Sequence, residues 1–125
     1  MNTDQLQQYV AENSQVETIF IGKATDYLNG KNKKRLAAKR WNEARIQRQA
    51  EKMYDQVIEN LYNKLHTEVK ANRFTPAETW IKFINENEVL DGLEESMIEC
   101  MPIKLIGNML YLKVLLIQVR TVHTL

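Results

Sequence analysis

The chain reads as all-α: a small helical bundle or helical hairpin with one long, partly projecting basic helix and a C-terminal tail of undetermined secondary structure. Three observations carry that reading. Residues 31–73 contain no proline and no glycine. Apolar residues recur at three- and four-residue steps in several separate stretches, the spacing that places them on one side of a helix. Helix-start patterns stand at Ser14–Glu17 and Thr75–Glu78. The 125 residues, 44% of them apolar, suffice for one modest core. A single helical domain is expected over 1–101, with 102–125 as a separate or alternative C-terminus.

Taken in order, residues 4–12 form a short first helix on Leu6, Tyr9 and Val10. "SQVE" at 14–17 has the form of a capping box, in which Ser14 accepts from the backbone three residues on and Glu17 reaches back. A second helix is therefore expected from about residue 15, burying Val16, Ile19, Phe20, Ala24, Tyr27 and Leu28. Asn29-Gly30 would close it through a left-handed residue. Between 31 and 73, Ala, Leu, Lys, Arg, Gln and Glu dominate, which predicts one continuous helix. Its second half places Ala50, Tyr54, Val57, Ile58, Leu61, Leu65 and Val69 on one arc. Glu68 breaks a strict heptad, so bundle packing is expected rather than a long two-stranded coiled coil.

Thr75, Pro76 and Glu78 announce a further helix over 76–86, with Trp80, Ile81, Phe83 and Ile84 on its apolar side and Phe74 stapled onto Thr79 or Trp80. "NENEVLDG" interrupts, "LEESMIECM" allows another turn or two, and Pro102 stops it. The segment 103–125 contains no acid and fits neither a clean amphipathic helix nor alternating strands, although a hairpin around Gly107-Asn108 is one option. A spanning helix there would hold Lys113 near mid-bilayer at a cost of about 2.5–3.5 kcal/mol, which disfavours membrane insertion.

Charge is segregated rather than excessive. The 17 basic and 16 acidic residues leave a net +1, which excludes function through global charge. Residues 1–30 hold four acids and one base, 31–48 hold eight bases and one acid, and 49–99 hold eleven acids and five bases. The N-terminus lacks the basic start and long apolar run of a secretory signal. One cysteine, Cys100, forbids an internal disulfide and favours a reducing compartment, cytoplasmic or nuclear.

Signatures of catalysis are missing from the pattern. His66 and His123 are far apart in sequence, and Cys100 is flanked by Glu94, Glu95 and Glu99, which would raise a thiol pKa. Acid pairs such as Glu51/Asp55 and Glu94/Glu95 are ordinary solvated spacings, and the four glycines are isolated. No enzyme activity, cofactor or metal is expected. Trp41, Trp80, Phe83 and Tyr62 stand among apolar neighbours and read as core rather than base-stacking residues.

The basic stretch carries the functional expectation, with Lys33, Lys34, Arg35, Lys39, Arg40, Trp41, Arg45 and Arg48 as partner-binding residues. On a helix wheel the bases point nearly all round, and the buried arc of 50–69 does not continue into 31–48. A small strip, Ala37–Trp41–Ala44, lies rotated from that arc, so the basic half should project or meet a different surface. A non-enzymatic interaction or scaffold protein is expected, docking on an acidic protein or a cytoskeletal filament with Trp41 as an anchor. Nucleic acid is the alternative partner for the same helix. Nuclear import through "KNKKR" and "KR" is a further use, whereas Glu51 and Asp55 spoil a calmodulin-target pattern. Plain solvation of a helix carrying pairs such as Lys39–Glu43 is the competing explanation of the charge.

Overall fold

The computed structural model describes residues 1–99, all of whose regular structure is helical. Cys100, His123 and the hairpin, membrane and alternative-terminus readings of 102–125 lie outside the described residues. Five α-helices run in the order α1 (Thr3–Asn13), α2 (Val16–Lys33), α3 (Glu43–Val69), α4 (Ala77–Glu86) and α5 (Val89–Glu99), with a 3-10 turn at Ala37–Lys39 between α2 and α3. The protein is a small all-α bundle.

α1 begins with a full capping box that the sequence reading passed over. The Asn2 side chain accepts from the Gln5 backbone and the Gln5 side chain accepts from the Asn2 backbone, each at 2.8 Å. The box expected at 14–17 does not form. Ser14 instead ends α1, its hydroxyl donating to the Val10 carbonyl at 2.7 Å and accepting from Val16 at 3.3 Å. The backbone N–H of Gln15, the true N-cap of α2, donates to the Glu94 carboxylate, so a long-range partner replaces the local one.

α2 passes straight through Asn29 and Gly30, and no glycine among the described residues has a positive φ. The single helix expected over 31–73 is likewise corrected: the chain leaves helical geometry after Lys33 and regains it at Glu43. Propensity permits a helix across 34–42 but cannot turn one buried arc into another, and breaking the helix solves the mismatch. Each half then presents its own apolar face to the same core. Lys39 lies within the break and Glu43 opens α3, and the pair expected between them is not formed.

α2 and α3 form the main hairpin, with α1 packed across both of them, α5 packed on α2, and α4 bridging α3 to α5. α3 buries Ile46, Ala50, Tyr54, Val57, Ile58, Leu61 and Leu65, while Val69 is half-buried. These meet Phe20, Ala24 and Leu28 of α2, Leu6 and Val10 of α1, Trp80 and Ile84 of α4, and Leu93 and Met97 of α5 in one cluster. Phe20 and Tyr54 rings lie 5.8 Å apart at the centre. α3 stops at Lys70, whose N–H bonds the Thr67 carbonyl at 3.2 Å and whose left-handed conformation (φ 57°) turns the Ala71 N–H back onto the His66 carbonyl at 3.1 Å.

At the start of α4 the residue roles shift by one. Pro76 is the N-cap, and the Thr75 hydroxyl accepts from the Asn72 backbone at 2.9 Å instead of capping α4. Phe74 is 77% exposed under the Arg73 guanidinium, so the expected staple is absent. Only Asn87 and Glu88 separate α4 from α5, with Glu88 left-handed (φ 49°). The expected eight-residue interruption thus shrinks to two, because one residue with positive φ turns the chain and burial of Val89, Leu90 and Leu93 supports helix on the far side. No described helix is long and apolar enough to cross a membrane.

Candidate functional site

The break between α2 and α3 converts the basic stretch into a corner. Lys31 and Lys33 lie in the last turn of α2, Lys34 caps it, Arg35 and Leu36 lead into the 3-10 turn, Lys39 closes that turn, and Arg40–Asn42 lead into α3, which carries Arg45 and Arg48. All eight partner-binding residues expected from sequence are therefore at or near one joint, but on a folded corner rather than along a projecting helix.

The corner is held by its own side chains. Asn32 accepts from the Trp41 backbone N–H at 2.8 Å and donates to its carbonyl at 2.9 Å, closing the mouth of the loop. Arg40 donates to the Arg35 and Lys33 carbonyls at 3.2 and 3.3 Å, giving partners to acceptors that the end of α2 leaves unfilled. Asn42 caps α3 by accepting from the Arg45 backbone at 2.9 Å.

Trp41 is the hub. It is half-buried against the core, and the Arg35 and Arg45 guanidiniums lie 4.1 and 4.2 Å from its ring centroid. Two guanidiniums at that height cannot share one face of the indole, so they cover opposite faces. Stacking uses the flat faces of the guanidiniums and leaves their in-plane N–H edges free. Among the described residues neither side chain donates a hydrogen bond, and none of the eight basic residues of 31–48 joins an ion pair; the pairs present are Lys64–Glu68 and Lys82–Glu86.

Leu36, at the head of the 3-10 turn, is 74% exposed, and Ala37 and Ala38 beside it are also exposed. The corner thus presents a small apolar tip ringed by cations. An open depression of about 560 Å³ lies alongside, lined by Asp26, Asn29, Gly30, Asn32, Lys33 and Arg40. Its lining brings one carboxylate, Asp26, beside two cations, Lys33 and Arg40. No grouping of three His, Cys, Asp or Glu able to hold a metal ion occurs among the described residues.

The sequence reading found the cations and Trp41 but not Asn32, Leu36 or Asn42. Asn42 carries a usable signal, a good N-cap residue inside a stretch read as continuous helix. The reciprocal Asn32–Trp41 clasp leaves none, since it depends on a turn nine residues wide. Elsewhere, Trp80 is core at 2% exposure, stacked 5.1 Å from Tyr62, and His66 is a surface residue against the same ring. Comparison with protein-family models, curated proteins and solved structures finds no match to this chain.

Proposed function

We propose that the chain is a non-enzymatic helical interaction module that docks on an acidic protein surface, such as that of a cytoskeletal filament, through the α2–α3 corner. The supporting observation is that eight basic side chains gather at a self-clasped joint and none joins an ion pair among the described residues. Cations held near one another and not ion-paired repel, and an acidic partner relieves that repulsion on docking. A filament partner goes with residence in the cytoplasm.

Nucleic acid, the alternative partner, is served less well by this geometry. The basic residues are divided among the end of α2, the 3-10 turn and the start of α3, so they do not make the one continuous basic helix expected to lie along a groove. Both faces of Trp41 are covered by guanidiniums, leaving none for a base to stack on.

Co-sedimentation with microtubules and with actin filaments tests the reading. The variant is K33E/K34E/K39E/R48E, which spares Arg40, Arg35 and Arg45 because these hold the corner together. Wild type should pellet with filaments while the variant stays in the supernatant with unchanged helical circular dichroism. Equal pelleting of the two proteins, or failure of wild type to pellet with either filament, overturns it.

A further inference from the structure

The Arg35–Trp41–Arg45 stack differs from the lysines around it. A lysine ammonium on a flexible stem is a point charge, whereas a guanidinium offers a planar fork that matches a carboxylate in two parallel hydrogen bonds. Here two forks are fixed on opposite faces of one indole, and that indole is in turn fixed by its backbone to Asn32. The two guanidinium centres therefore stand roughly 8 Å apart, twice the stacking distance.

Fixed forks give an advantage only against carboxylates whose own spacing is fixed, because ordering has already been completed on the protein's side. A lipid surface has no such spacing, and its mobile headgroups would answer to charge alone. In an extended chain, alternate side chains point the same way at about 6.8 Å, close to the separation of the forks. On a helix, neighbours three or four apart have Cβ atoms only about 5–6 Å apart. Segments dense in glutamate also resist compact folding and stay extended at neutral pH.

Resting on the docking reading above, we propose that the stack is a carboxylate-pair reader whose ligand is an extended acidic segment with Glu or Asp at alternate positions, one carboxylate forked by Arg35 and the next by Arg45. Leu36, exposed beside Arg35, packs on the aliphatic part of the same segment.

The test uses two fluorescein-labelled synthetic peptides with four glutamates each, one with a single alanine between glutamates and one with two. Fluorescence anisotropy gives affinity, and Trp41 emission, read over the constant background of the buried Trp80, reports the place of binding. The alternating peptide should bind about tenfold tighter than its equally charged counterpart, with a change in Trp41 emission. R35K/R45K, which keeps every charge, should remove that preference. Equal affinities for the two peptides, or a preference that survives R35K/R45K, overturns the pair reader and leaves the charge-based docking reading standing. If neither peptide binds but filaments do, the pair reader alone falls; if filaments also fail to bind, both fall.

Discussion

Replacing Tyr54 with phenylalanine should stabilise the protein. Tyr54 is 1% exposed in the middle of α3, between the Phe20 ring and the surrounding aliphatic core, and its hydroxyl has no hydrogen-bond partner among the described residues. A buried hydroxyl without a partner has given up its bonds to water, at a cost of about 1–3 kcal/mol. Y54F removes that cost and loses the dispersion contacts of one oxygen, about 0.1–0.2 kcal/mol apiece for a handful of neighbours. The net gain is about 1 kcal/mol, or a rise in Tm of about 4–6 °C for a domain of this size.

A second signature lies in alkali. Burial pushes the Tyr54 pKa upward, and the Glu17 and Asp55 carboxylates push it the same way. Above the ordinary tyrosine value of about 10 the unfolded chain gives up this proton while the folded chain keeps it. Tyr54 therefore costs the wild type about 1.4 kcal/mol of stability per further pH unit, until its folded-state pKa is reached. The advantage of Y54F should be constant below about pH 10 and widen above it. Urea unfolding followed by circular dichroism from about pH 8 to about pH 11 measures both effects. A Y54F protein less stable than wild type by about 1 kcal/mol, or a difference that does not change with pH, would refute the account of an unpartnered hydroxyl.

Other expectations concern the joints and the surface. Removing the α3 cap in N42A should cost about 1 kcal/mol, seen as a lower urea midpoint with unchanged slope. N32A should cost about 1–3 kcal/mol, since both of its bonds close the corner, and it should make the 34–41 loop sensitive to trypsin before the rest of the chain. W80A should lose about 3–5 kcal/mol through the cavity left among Tyr62, Ile84 and their neighbours, measured by the same denaturant titration. L36A and F74A, at residues mostly in water, should each shift stability by less than about 0.5 kcal/mol.

Sequence periodicity located the packing faces well because burial leaves a record in spacing: six of the seven apolar residues assigned to one arc of 50–69 are buried. Helix ends were legible where the capping partner is the local sequence and illegible where it is distant. Ser14 bonds backward to Val10, and the start of α2 is met by Glu94, far along the chain. Thr75 is used by its own loop. The break at 34–42 escaped notice because alanine, lysine and arginine favour helix there, while the opposing influence, the fixing of Trp41 by Asn32 and two arginines, exists only once the chain has turned. The change of arc near residue 48 was its visible trace. Basic character was plain in the composition; the guanidinium pairing was not, since Arg35 and Arg45 meet across one tryptophan only through that turn.

The clasp between Asn32 and Trp41 also makes the corner a cassette. Its two backbone bonds set the distance between the end of α2 and the approach to α3 whatever lies between them. Leu36, Ala37, Ala38 and Lys39 contribute no side chain to the buried core. Their identity can drift, or be exchanged in the laboratory, without disturbing the bundle. Contact chemistry can thus be rewritten at this joint independently of foldability, and new specificities are open to the scaffold by changing a four-residue insert.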